Sequence, residues 1–140
     1  MPYSHHLEVR FRDCDPMGHV NNAVYLTYLE QARFAHWRAL WNYRQPGSNP
    51  KVPGVILARA EVDYRAQAKE GDALEVRLTV GKIGRTSFQY DYEILDATGR
   101  VVISAKTVQV MFDYAANRPV PIDDEIRAML TGSEGAGAES

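Results

Sequence analysis

The groups with the most chemistry in this chain are crowded into Arg12-Asp13-Cys14-Asp15-Pro16-Met17-Gly18-His19-Val20-Asn21-Asn22. Two carboxylates, an imidazole, a thiol and two amides fall within ten residues. A carboxylate held beside an electrophilic carbonyl acts as general base or as nucleophile. From about Asn22 the apolar pattern becomes helical, so these groups sit where a long helix begins. Unpaired backbone N–H groups and the helix dipole favour negative charge there. An oxyanion developing on a substrate would be stabilised at that end. The same string has a purely architectural reading, because Asx residues cap helices and Pro-x-Gly makes turns.

The elements around it must position these groups. Leu7, Val9 and Phe11 alternate with Glu8, Arg10 and Arg12, which predicts a half-buried strand over 7–12. Between about Asn22 and Trp41, residues Tyr25, Tyr28, Leu29, Ala32, Ala35, Ala39 and Leu40 share one helical face. Asn21 or Asn22 suits the N-cap, and Gln45-Pro46-Gly47-Ser48-Asn49-Pro50 reads as the loop that follows. Further strands are expected over 55–65, 73–83, 86–95 and 100–112. In the first, Ile56, Ala58, Ala60, Val62 and Tyr64 would share a face. Gly81–Gly84 and Asp96–Gly99 read as hairpin connections. A short amphipathic helix is expected over 122–130, and the Gly-, Ala-, Ser- and Glu-rich stretch 131–140 reads as a disordered tail.

One strand, one long helix and four serial strands do not alternate as a doubly wound fold does. The expected class is α+β: one domain over 1–130, with a five-stranded antiparallel sheet wrapped on one long helix. One helix cannot cover both faces of such a sheet, so self-association through strand edges or the outer face is expected.

Composition removes several function classes. The chain has 140 residues, 45% hydrophobic and 24% charged, with a formal charge of −2. Near-neutral charge argues against a nucleic-acid binder. Cys14 is alone, which excludes an intrachain disulfide framework and a CxxC-type zinc or redox site. His5-His6 has no further ligands beside it and makes a poor metal site. No apolar run approaches the length of a spanning helix, and the first ten residues have no apolar h-region. A soluble cytoplasmic protein is expected.

The segment from Asp13 through Arg33 resembles the signature of hotdog-fold acyl-CoA thioesterases. Its front half is similar to 4-hydroxybenzoyl-CoA thioesterase. Its back half, HVNNAVYLTYLEQAR, is closer to the long-chain acyl-CoA thioesterases. The resemblance continues through Val62-Asp63-Tyr64-Arg65 and Gly84-Arg85-Thr86-Ser87. It implies a long helix enclosed by a curved antiparallel sheet, and a homodimer or homotetramer with sites between subunits. It implies hydrolysis of an acyl-CoA to a free acid and coenzyme A, without metal or redox cofactor. Asp15 would attack the thioester carbonyl or activate water for that attack, and the Asn22 backbone N–H would hold the thioester oxygen. Pro16 and Gly18 would fix the turn. His19 orients water or the carboxylate, or else caps and packs. Asn21 positions water or caps, and Asp13 supports the turn. Cys14 is chemically suited to attack a thioester, but the family does not use such a group. Tyr25 is expected on the acyl channel, with Val62 and Tyr64 from the strand that meets the other subunit's helix. Lys82 and Arg85 flank a hairpin: either a solvated turn or a contact for coenzyme A phosphates.

The sequence departs from its relatives after Tyr64. Many carry a proline two or three residues later, where this chain reads Arg65-Ala66-Gln67-Ala68. The aromatic-acid enzymes lack the His-Val-Asn-Asn run, so a fatty acyl group is expected over a benzoyl group. A non-catalytic acyl-CoA-binding module is the alternative from another class, and a hotdog dehydratase or hydratase ranks after it.

Overall fold

The computed structural model describes residues 3–41 and 54–139. Strand β1 (Tyr3–Glu8) leads through a 3-10 turn at Phe11–Asp13 to helix α1 (Asn22–Trp41). Strands β2 (Gly54–Tyr64), β3 (Ala73–Ile83), β4 (Ser87–Leu95) and β5 (Val101–Asp113) follow, then the short β6 (Arg118–Pro119) and helix α2 (Asp124–Glu139). The strands form one six-stranded sheet in the order β1-β3-β4-β5-β2, with β6 paired to β5. Every pairing is antiparallel. The expected class and the four serial strands are present, with β6 added to the expected five.

Alternation along the strands builds the core. Leu74, Val76, Leu78 and Val80 of β3 and Phe88, Tyr90, Tyr92 and Ile94 of β4 are buried in one cluster with Tyr25, Tyr28, Leu29 and Ala32 of α1. Each large apolar side chain buried this way contributes roughly 1.5–3 kcal/mol. Ala32 lets the helix approach the sheet closely. No helix among the described residues is long and apolar enough to cross a membrane.

Four expectations shift. The first strand ends at Glu8, not at residue 12. Val9 is buried, but Phe11 is 79% exposed, because the 3-10 turn swings it outward as it drives Asp13 in. The buried stripe of α1 does not continue through Ala39. It runs instead through Arg33, His36 and Trp37, which lie over aromatic partners of β4. His36 Nδ1 pairs with the Tyr90 hydroxyl at 2.7 Å, and Trp37 stacks on Phe88 with centroids 5.7 Å apart. A bulge in β2 between Leu57 and Arg59 breaks the expected alternation, so that Leu57 and Ala60 line one cleft together. Such an extra residue reverses the faces that follow it. Finally, α2 runs through 131–139 beyond the expected 122–130. Asp123 caps it by accepting from the Ile126 N–H at 2.8 Å, and Ile126 and Leu130 anchor it in the core. A helix already nucleated extends at little further cost. The expected loop at Gln45–Pro50 lies outside the described residues.

Candidate active site

Between β1 and α1 the chain folds into a compact loop closed by its own backbone. Asp15 N–H donates to His19 O at 2.9 Å and Gly18 N–H to Asp15 O at 3.0 Å. Gly18 stands at φ +85°, a left-handed conformation that favours glycine. This turn brings His19 back beside Asp15, and a bridge to Lys69 ties His19 to the chain preceding β3.

Asp13 pins the loop from beneath. Its carboxylate is only 3% exposed. It accepts from the Tyr28 hydroxyl at 2.7 Å, the Arg10 N–H at 3.0 Å and the Arg10 guanidinium at 3.1 Å. Burial alone would raise its pKa, but these donors outweigh that and hold it below the ordinary carboxylate value. Its backbone oxygen accepts from Asn21 N–H at 2.9 Å, so Asp13 joins the loop to the helix start.

Asn21 is the N-cap of α1. Its side-chain oxygen accepts from the Ala23 N–H at 3.0 Å, the cap geometry. The Asn22 N–H has no acceptor among the described residues, which leaves one N-terminal amide of a twenty-residue helix open. Asp15 Oδ1 accepts from Met17 N–H at 2.9 Å and His19 N–H at 3.4 Å, and its Oδ2 has no donor among the described residues. One oxygen is therefore fixed and the other is available for chemistry.

A cavity of about 480 Å³ brings Asp15, His19, Asn22, Tyr25 and Tyr64 together. Tyr25 is buried, and its hydroxyl accepts from Ala68 N–H at 3.1 Å. Burial raises its pKa, so it stays a neutral wall. Tyr64 donates to Asn22 O at 3.3 Å. Gly18 shapes the turn without lining the cavity. Val62 packs against the core instead. Lys82 and Arg85 belong to the β3–β4 hairpin, at the opposite end of β3 from the site. Lys82 is the tenth residue of β3, about 30 Å along the strand from its start at the usual rise, Arg85 lies just beyond the strand, and neither lines this cavity.

Arg65, Ala66 and Gln67 complete the wall and were not among the expected site residues. Their one signal was adjacency to Tyr64. The segment lacks a proline, yet it is tied down on both sides. Arg65 and Ala66 N–H groups donate to Val102 O at 2.9 and 3.1 Å, and Val20 N–H donates to Ala68 O at 2.8 Å. Among the described residues no group of three His, Cys, Asp or Glu side chains is placed to hold a metal ion.

Residues 9–130 match the Thioesterase-like superfamily. The chain belongs to that superfamily. A thioesterase from Thermus thermophilus, solved as a complex with coenzyme A and zinc, superposes with a TM-score of 0.81 at 32% identity, covering 94% of this chain and 93% of that one. The long-chain acyl-CoA thioesterase FadM of Escherichia coli is 26% identical over 89% of this chain and 93% of its own length. The 1,4-dihydroxy-2-naphthoyl-CoA hydrolase of Synechococcus elongatus is also 26% identical, over 87% and 90%. This member of the superfamily is a thioester hydrolase with the hotdog fold. Equal identity to an aliphatic and an aromatic enzyme leaves the acyl group to be argued from the site.

Proposed function

We propose that this enzyme hydrolyses an acyl-CoA to a free acid and coenzyme A, with Asp15 as the reacting carboxylate. The observation that carries this is one cavity lined by both Asp15 and the open start of α1. The thioester oxygen is received by the Asn22 N–H, where helix amides stabilise the charge that develops. Asp15 attacks the carbonyl carbon through its available oxygen, or takes a proton from the water that attacks. Thiolate then leaves, carrying off the C–S electron pair; in the first route water then cleaves the acyl–Asp15 anhydride to release the acid and restore the carboxylate. A carboxylate acting as general base supplies about 10²–10⁴-fold, and one oxyanion donor about 10²–10³-fold. His19 steadies the Asp15 turn through its backbone and lines the same cavity.

The acyl chain runs past Tyr25 and Tyr64, and the His-Val-Asn-Asn run favours an aliphatic acyl group. The working unit is a homodimer or homotetramer. β2 is an edge strand with exposed Leu57 and Tyr64, which suits pairing with a second copy. In one chain Lys82 and Arg85 are remote from Asp15, so they would meet coenzyme A phosphates only across such an interface.

The test is release of free thiol from acyl-CoAs of graded length. Asp15→Asn, folded by circular dichroism, is expected to lose at least about 100-fold in kcat. Retained turnover in that variant refutes the assignment. Tight acyl-CoA binding without turnover in the wild-type protein would instead mark a binding module.

A further inference from the structure

The chemistry above uses one end of α1 and leaves a second cavity, of about 280 Å³, beside the other end. Its walls are apolar, with Phe34, Trp37, Val55, Leu57 and Phe88 among them. Into this setting the fold places Arg33 and Gln109, 9% and 1% exposed. Buried polar groups are costly unless their hydrogen bonds are made, and here they are under-supplied. Arg33 has five N–H donors. Among the described residues its oxygen partners are the Tyr92 hydroxyl at 3.4 Å and the Glu30 carboxylate at 3.9 Å. Glu30 is half exposed, so it neutralises the guanidinium only in part. Among the same residues the Gln109 amide meets a single group, the Thr107 hydroxyl, 2.7 Å from its nitrogen. That hydroxyl is shared with Tyr92, 2.5 Å away. Tyr90, on the same wall, is already engaged by His36. Among the described residues most of the guanidinium's N–H donors meet no acceptor.

A narrower cleft continues from this cavity along α1 towards the helix start. It shares Glu30, Arg33 and Leu57 with the apolar cavity and reaches Leu26, next to Tyr25. From Asn22 to Arg33 the helix rises about 16 Å. An acyl group whose thioester lies at Asn22 needs about this reach to meet the guanidinium.

We infer that the acyl group cleaved here carries an acceptor oxygen at its far end, a hydroxyl or a carboxylate, and that Arg33 and Gln109 bind it. The inference rests on the hydrolase reading and names its substrate class. The apolar walls accept the chain, and the terminal oxygen supplies the acceptor that the buried donors lack. A carboxylate gains most, through charge-assisted bonds to the planar guanidinium.

The test uses matched acyl-CoAs of equal length, ending in methyl, hydroxyl or carboxylate. Wild-type kcat/KM is expected to favour an oxygenated end by about 10- to 100-fold over methyl. The ratio is measured within each variant, so a general loss of activity cancels. In Arg33→Met it should fall to about one, with Arg33→Lys between. Gln109→Leu provides the same reading should Arg33→Met fail to fold. A wild-type ratio of one or below at every length overturns the inference and leaves the hydrolase intact. A preference that survives in both Arg33→Met and Gln109→Leu also overturns it. Absence of turnover for every acyl-CoA removes the hydrolase reading and this one with it.

Discussion

Asp13 does not touch the cavity, yet its removal should damage both stability and rate. In Asp13→Ala the Tyr28 hydroxyl and the Arg10 N–H lose the carboxylate they donate to. Tyr28 is buried, so its hydroxyl would be left without a partner away from water. Stranding such a group costs about 1–3 kcal/mol, and the charge-assisted bonds from Arg10 add to it. A total of about 3 kcal/mol corresponds to a fall in Tm of roughly 10 °C for a domain of this size. The rate should suffer separately. Asp13 O holds the Asn21 N–H, so a slack loop lets Asp15 drift from Asn22. Misplacement by about 1 Å costs up to 10²-fold. The assays are thermal unfolding and thiol release measured well below Tm. Asp13→Asn keeps the shape and one acceptor, so it should lose less in both. The pH dependence has a definite sign. The folded pKa of Asp13 lies below the ordinary value of 3.8. Its stabilisation is therefore complete above that value and is lost as pH falls through the folded pKa. Wild type and Asp13→Asn should converge in strong acid. Tm and kcat in Asp13→Ala both matching wild type would refute the argument.

Three further outcomes are expected. Burial pushes His36 down to about 4, so stability should fall by roughly 3 kcal/mol as pH drops from the unfolded value near 6.5 through the folded one; NMR titration showing His36 protonated at pH 6 would contradict this. Gly18→Ala meets no atom within 4 Å but keeps φ at +85°, so it should cost about 1 kcal/mol from backbone strain alone, read by urea unfolding, and should lower kcat by loosening the Asp15 turn. Leu29 is fully buried under the sheet, and Leu29→Ala should cost about 2–5 kcal/mol by the same measurement.

Much of this architecture is a local property of the chain. The α1 period, the β3 and β4 alternation and the Asx and Gly turn chemistry are set by near neighbours, so their elements are legible from residue order. The string from Asp13 to Asn22 could be read as a candidate site for the same reason, because one turn and one cap bring its groups together. Other features depended on distant partners. Val9 stays inside while Phe11 turns out because buried Asp13 finds Tyr28 fifteen residues away. Arg33 and His36 replace Ala39 in the core because Tyr92 and Tyr90 offer hydroxyls across the sheet. The β2 bulge, which puts Leu57 into the cleft, is a matter of register against β5. A one-dimensional pattern carries the cost of burying each group. The compensation comes from partners that only the folded chain brings within hydrogen-bonding reach, and there the tertiary structure decided.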